Sequence, residues 1–142
     1  MKNINWSNIK GVILDMDGVI YNGNSCIKSA LKSIKIWKKK NIKICFLTNN
    51  STKNQTQFVN KLKLMKLNVK KESIISTTVS TANYLEEHFK PKTKVYVVGS
   101  ISLKKAIYDK GFVKDIYKAS IVIVGLDEKF TYKKLSIASN LV

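Results

Sequence analysis

The sequence contains no arginine: all 26 of its basic residues are lysines, and they give the chain a formal net charge of +17. Arginine is the residue favoured for bidentate contacts with phosphates and base edges. A surface selected to bind nucleic acid would normally include it, so its absence argues against specific nucleic-acid binding. We expect most of the lysines to be solvated on helix faces, where their charge produces a weak, salt-sensitive affinity for polyanions.

Cysteines and long apolar runs are also scarce. No apolar stretch approaches the roughly 18 residues that a membrane span needs. Residues 1–6 lack the apolar segment and small-residue cleavage site of a signal peptide. Cys26 and Cys45 have no metal-type spacing and do not make a disulfide framework. We therefore expect a cytoplasmic protein with reduced thiols and no membrane partner.

Strand-like and helix-like segments alternate along the chain. Strands are predicted at 10–14, 42–47, 73–76, 94–98 and 121–124. Helices are predicted at about 27–40, about 79–89, about 103–111 and from 131 onwards, and a further helix is expected to begin with Ser51 or Thr52 as its cap. The alternation predicts an α/β fold with parallel sheets and right-handed crossovers. Val12, Ile13 and Leu14 of the first strand are all apolar, which predicts burial on both of its faces. Pro91 ends a helix and precedes a new unit, so we expect domains of residues 1–91 and 92–142.

Two aspartates follow the first predicted strand. Asp15 and Asp17 come directly after the apolar run 11–14, and Gly18 follows them. Because side chains alternate along extended backbone, both carboxylates are expected on the same side. Such a pair suits an oxygen-binding divalent ion such as Mg²⁺, and one carboxylate can attack phosphorus to form an aspartyl-phosphate. A polar turn is the plain alternative; an EF-hand calcium loop is excluded, because its sixth and twelfth positions require glycine and glutamate.

A second polar segment ends the second predicted strand, with Thr48, Asn49, Asn50 and Ser51 in succession. In doubly wound sheets ligands bind beyond the carboxyl ends of the strands, so Thr48 is expected beside Asp15. Its hydroxyl, nearby backbone amides and a following helix N-terminus can hold a phosphate. Taken alone, the segment is typical of a turn with a helix cap. Together with the aspartates it favours a phosphate site.

These motifs resemble those of a known superfamily. The segments VILDMDGVIY at 12–21 and FLTNNST at 46–52 are similar to the first two motifs of the haloacid dehalogenase phosphatases. The similarity is to the NagD-like group, which includes 4-nitrophenylphosphatases, phosphoglycolate phosphatases and pyridoxal phosphatases. Later segments fit the same group in order and spacing, namely STANYL at 80–85, VYVVGS at 95–100, VIVGLD at 122–127 and FTYKKL at 130–135. The resemblance therefore covers nearly the whole chain.

The resemblance implies a Rossmann-like α/β core, an α/β cap that begins at about residue 92, and an Mg²⁺-dependent phosphatase. Asp15 would be the nucleophile, and Asp17 would protonate the leaving oxygen and then activate the hydrolytic water. Asp15 and the backbone carbonyl of Asp17 would bind Mg²⁺, and Thr48 and Asn49 would orient the phosphate. The implied substrate is a small phosphorylated metabolite such as phosphoglycolate or pyridoxal phosphate, or the artificial 4-nitrophenyl phosphate. A homodimer of the complete protein is in keeping with the family.

The chain departs from the family pattern at its C-terminal end. The family has a phosphate-binding lysine after the cap and then a Gly-Asp-x-x-x-x-Asp segment that completes the metal site, and neither has a counterpart here. We therefore expect the N-terminal half of a phosphatase, in which residues 10–14 form an open, apolar sheet edge. The alternative is a catalytically inactive fragment with a binding or regulatory role.

Overall fold

A computed structural model describes residues 8–142, so residues 1–6, on which the signal-peptide argument depends, lie outside the described part. Strands and helices alternate as predicted. The strands are β1 (Gly11–Asp15), β2 (Tyr21–Asn22), β3 (Ser25–Cys26), β4 (Lys43–Thr48), β5 (Ile74–Ser76), β6 (Lys94–Val98), β7 (Val113–Lys114) and β8 (Ile121–Val124), and the helices are α1 (Lys28–Lys39), α2 (Gln55–Leu64), α3 (Thr77–His88), α4 (Ile101–Tyr108) and α5 (Tyr132–Leu141). No helix in this part of the chain is long and apolar enough to cross a membrane.

The strands form two three-stranded sheets and a short hairpin. The first sheet has the order β1–β4–β5, and its β1–β4 pair is parallel, in a register that runs from Gly11 opposite Lys43 to Asp15 opposite Leu47. The second sheet has the order β7–β6–β8, with both neighbours parallel to β6. Strands β2 and β3 pair antiparallel. Parallel sheets flanked by helices confirm the predicted α/β class.

The chain divides into two compact units. The first runs up to Thr48 and resumes at Phe58–Ile75, and the second comprises Asn49–Gln57 and Ser76–Val142. Each unit has its own apolar interior. The core of the first unit includes Met16, Phe46 and Phe58, and that of the second includes Val95, Leu103 and Ile107. The domain boundary between residues 91 and 92 stays a prediction about the complete fold.

Strand β1 is not buried on both faces, contrary to the prediction from its apolar run. Leu14 packs against the core of the first unit, whereas Ile13 is 71% exposed. Helices of the first unit contribute Ile34, Phe58 and Leu62 to the core that contacts Leu14. The strand is therefore less buried than its apolar residues alone predict.

Helix α2 begins later than predicted, because neither Ser51 nor Thr52 caps it. The Gln57 N–H donates to Asn54 Oδ1 at 2.9 Å, and the Asn54 N–H donates to Gln57 Oε1 at 2.8 Å. This reciprocal pair is a capping box, with asparagine in place of the usual serine or threonine. Thr52 instead donates its N–H to Asn50 Oδ1 at 2.8 Å, which closes a turn before the helix.

Candidate active site

The chain turns sharply at the carboxyl end of β1, and this turn sets the directions of Asp15 and Asp17. Met16, between them, is fully buried in the core of the first unit, whereas both aspartates are exposed. Gly18 has a φ of +78°, a conformation that side-chain-bearing residues rarely adopt, and its N–H donates to the Tyr21 carbonyl at 2.8 Å. Because Met16 points inward, the two carboxylates point away from the core, into solvent.

Each aspartate accepts a hydrogen bond from its own turn. The Met16 N–H donates to Asp15 Oδ1 at 2.8 Å, and the Tyr21 hydroxyl donates to Asp17 Oδ2 at 3.2 Å. Tyr21 is fully buried, and this burial together with the negative charge of Asp17 raises the pKa of its hydroxyl above the ordinary value. The hydroxyl therefore keeps its proton at neutral pH and acts as a donor to Asp17. The Lys61 ammonium lies 3.6 Å from the centre of the Tyr21 ring.

Tyr21 is a contact of the candidate site to which the sequence motif assigned no role. The sequence could predict only that a buried tyrosine has a hydrogen-bond partner for its hydroxyl, as buried tyrosines usually do. The identity of that partner depends on the turn, because only the fold back at Gly18 brings Tyr21 to Asp17. An isolated β-bridge between Asp17 and Tyr21 holds the same geometry in the backbone.

Thr48 lies at the same sheet edge as the aspartates. It is the last residue of β4, and it is almost completely buried. Asp15 pairs in register with Leu47, so Thr48 is one residue further along the neighbouring parallel strand. This is the arrangement of strand ends that the sequence predicted for the nucleophile and the phosphate contact.

The loop after Thr48 belongs to the second unit, and hydroxyl groups fix its backbone there. The Asn49 carbonyl accepts from Thr77 Oγ1 at 3.0 Å. The Ser51 carbonyl accepts from both Thr78 Oγ1, at 3.1 Å, and Ser100 Oγ, at 2.6 Å. These hydroxyl residues are 27 to 49 residues away from the loop in sequence, so no local sequence pattern links them to it. They define the conformation of the backbone that carries Asn49.

The donor atoms at the end of β1 fit part of a magnesium site. Asp15 and Asp17 are exposed carboxylates two positions apart, and Mg²⁺ is commonly held by one or two carboxylates with water and substrate oxygens as the other ligands. Within residues 8–142 no group of three or more histidine, cysteine, aspartate or glutamate side chains could hold a metal ion. The oxygen donors of Asp15 and Asp17 are thus compatible with part of such a site, and their role as metal ligands stays a prediction.

Comparisons with known proteins agree on the family. The chain matches the haloacid dehalogenase-like hydrolases over residues 12–113. It is 37% identical over 128 residues to the acid sugar phosphatase of Staphylococcus epidermidis, which covers 89% of this chain and 49% of that protein. It is 36% identical over 131 residues to the acid sugar phosphatase of Staphylococcus aureus, covering 92% of this chain and 50% of the relative.

Solved structures of phosphatases share the fold. The 4-nitrophenylphosphatase of Thermotoga maritima superposes with a TM-score of 0.86 at 31% identity, over 94% of this chain and 51% of that one. NagD from Escherichia coli K-12 superposes with a TM-score of 0.83 at 25% identity, over 93% of this chain and 52% of NagD. The chain therefore spans about half the length of the relatives that it matches.

Proposed function

The chain belongs to the haloacid dehalogenase-like hydrolase family, and from that membership we propose that it carries the nucleophile and the acid–base residue of a phosphatase. The reaction is Mg²⁺-dependent hydrolysis of small-molecule phosphomonoesters through an aspartyl-phosphate. The observation that carries the proposal is the turn after β1, where buried Met16 separates the exposed Asp15 and Asp17. Relatives named acid sugar phosphatase and 4-nitrophenylphosphatase support the substrate class.

The two aspartates divide the reaction between them. A carboxylate oxygen of Asp15 attacks phosphorus, an O–P bond forms, and the bond from phosphorus to the leaving oxygen breaks while Asp17 gives that oxygen a proton. Asp17 then takes a proton from a water molecule as the water attacks phosphorus. The P–O bond to Asp15 breaks, which releases inorganic phosphate, restores the Asp15 carboxylate and leaves Asp17 protonated for the next cycle. The Tyr21 hydroxyl, 3.2 Å from Asp17 Oδ2, holds Asp17 in one orientation during both proton transfers.

The phosphate and the metal have candidate ligands at the same sheet edge. Thr48 and Asn49 orient the phosphoryl oxygens, with the carbonyl of Asn49 held by Thr77. Asp15 and the Asp17 backbone carbonyl would hold Mg²⁺, which would offset the negative charge on the transferring phosphoryl group. The substrate is a small phosphorylated metabolite, of the sugar phosphate, phosphoglycolate or pyridoxal phosphate type. Homodimerisation of the complete protein is part of the same proposal.

A second function is a binding or regulatory role without turnover. It is favoured by the metal-binding side chains, since residues 8–142 contain no group of three or more histidine, cysteine, aspartate or glutamate residues that could hold a metal ion. A phosphoryl group could then bind beside Thr48 without being hydrolysed. The two functions differ in one observable, the release of product.

Hydrolysis of 4-nitrophenyl phosphate with and without Mg²⁺ tests the proposal. We expect this chain, extended through any coding sequence that follows it, to release 4-nitrophenol. Removal of the metal with EDTA should abolish this activity, and added Mg²⁺ should restore it. The 142-residue chain is assayed in parallel. If the extended protein turns over substrate and the 142-residue chain does not, the 142-residue chain is one half of a phosphatase and is inactive without the other half. No turnover in either form, with fold confirmed by circular dichroism, would contradict the proposed reaction.

Replacing Tyr21 with phenylalanine tests the role of its hydroxyl. The variant keeps the buried ring and its contact with Lys61, and it removes only the hydrogen bond to Asp17. A hydrogen bond to a charged group is worth about 1.5–3 kcal/mol, so we expect kcat to fall by about tenfold to a hundredfold with KM little changed. Tyr117→Phe is the control, since Tyr117 is exposed in the second unit. An equal loss in both variants, or a change in KM alone, would count against positioning of Asp17.

We also propose a cytoplasmic location. Both cysteines, Cys26 and Cys45, are free thiols, as expected for a protein in a reducing compartment. Specific nucleic-acid binding is not part of the proposal, because the positive charge comes entirely from lysine.

A further inference from the structure

A cavity of about 440 Å³ opens on the first unit, and all of its lining residues belong to that unit. Its apolar lining consists of Ile42, Ile44 and Phe46 on and beside β4, together with Val69 from the segment that leads to β5. Binding pockets for small molecules commonly have volumes of roughly 300–1,000 Å³ and a mainly apolar lining with a few polar groups. The size and the lining therefore fit a small molecule with an apolar body.

The cavity extends from the amino end of β4 to its middle, whereas the candidate active site is at the carboxyl end of the sheet. Ile42 directly precedes the strand and Ile44 is its second residue, but Thr48 is its last. A strand rises by about 3.3 Å per residue, so Ile44 and Thr48 are about 13 Å apart along it. A ligand held over Ile42 and Ile44 would thus occupy a site separate from Thr48.

The ionisable groups at the cavity are cationic. They are Lys38 and Lys70, and none of the described residues that line the cavity is acidic. The Lys38 ammonium donates to the Asn68 carbonyl at 2.6 Å, which fixes its position and leaves it two further N–H donors. An anionic group on the ligand is therefore attracted by both lysines, whereas a cationic group is repelled.

Hydrogen bonds within one turn hold the part of the lining that carries Lys70. Ser73 also lines the cavity, and its N–H and its hydroxyl both donate to the Lys70 carbonyl, at 3.1 and 2.6 Å. Ile74, the next residue, is fully buried in the core and anchors the turn. Glu72 belongs to the same turn, but it is exposed and does not line the cavity. A preformed lining reduces the conformational entropy that is lost when a ligand binds.

We propose that this cavity binds a small amphipathic anion, a molecule with an apolar body and one carboxylate. The body lies against Ile42, Ile44 and Val69, and the carboxylate accepts hydrogen bonds from the ammonium groups of Lys38 and Lys70. Burial of the apolar body supplies most of the affinity, and the lysines select for negative charge. A sugar phosphate has no apolar body and does not fit this site. The binding does not depend on whether the chain hydrolyses phosphate esters.

Calorimetric titration of the 142-residue chain with 1-naphthoate at fixed ionic strength tests the proposal. The matched ligand is 1-naphthylmethylamine, which has the same ring system and the opposite charge, and its Kd should be at least about fivefold higher. Lys70→Glu should raise the Kd for 1-naphthoate by about fivefold or more. The control is Lys63→Glu, which makes the same change in net charge at an exposed residue of α2 outside the lining, and its Kd should be unchanged. Circular dichroism checks the fold of each variant.

Amide chemical shifts locate the bound 1-naphthoate. The largest changes should occur at Ile42, Ile44 and Val69, and an excess of inorganic phosphate should leave the affinity unchanged. The proposal is overturned if 1-naphthoate does not bind the folded chain, if the amine binds as tightly, or if Lys70→Glu and Lys63→Glu raise the Kd equally. Shift changes centred on Asp15 and Thr48, or displacement by phosphate, would also overturn it, because the anion would then occupy the candidate active site.

Discussion

Replacing Asp15 with asparagine is expected to reduce kcat/KM for 4-nitrophenyl phosphate by at least about a thousandfold, because removal of a nucleophile leaves only residual catalysis from binding. The amide of asparagine cannot form the O–P bond that starts the reaction. The fold should be unaffected: Asp15 is exposed, and the side-chain oxygen of asparagine can still accept the hydrogen bond from the Met16 N–H.

The measurement is steady-state hydrolysis together with trapping of the phosphoenzyme. Acid quenching of the unsubstituted active protein should yield a protein-bound phosphoryl group that is absent from Asp15→Asn. Asp109→Asn is the control, since Asp109 is an exposed aspartate at the end of α4, in the second unit. Full activity in Asp15→Asn, with a normal melting temperature, would remove Asp15 from the role of nucleophile.

Replacing Asp17 with asparagine is expected to separate the two halves of the reaction. The 4-nitrophenolate leaving group needs little help from an acid, so attack by Asp15 should still release product from this substrate. Hydrolysis of the aspartyl-phosphate needs a base, and its rate should fall by about 10²- to 10⁴-fold. We therefore expect a burst of about one equivalent of 4-nitrophenol, followed by slow turnover and accumulation of phosphoenzyme.

Alkyl phosphates provide the complementary measurement for Asp17. Their leaving oxygens require protonation, so the first step should also fail and no burst should appear with a sugar phosphate. Pre-steady-state assays of both substrates on Asp17→Asn distinguish these outcomes. A uniform loss with both substrates and no burst would show that Asp17 acts mainly by holding the metal or the backbone turn, and its assignment as acid and base would be withdrawn.

Much of the fold was predictable because its signals are local. The strands at 94–98 and 121–124 match the observed β6 and β8, and the helix predicted from residue 131 begins at Tyr132 with Thr131 as its cap. In each case the apolar periodicity and a capping or turn residue lie within the same short segment. The two-residue strands β2, β3 and β7 are too short to show any periodicity, and the sequence analysis did not identify them.

By itself the sequence determined the order of the longer strands and helices, the positions of Asp15 and Thr48 at strand ends with Asp17 two residues after Asp15, and the family, because these depend on residues close together in the chain. Only the tertiary structure decided that Tyr21 donates to Asp17, that Thr78 and Ser100 hold the loop after Thr48, and that Ile13 is exposed. Burial and long-range hydrogen bonds depend on which segments meet in space, and an apolar strand has the same pattern whether or not another segment covers its second face.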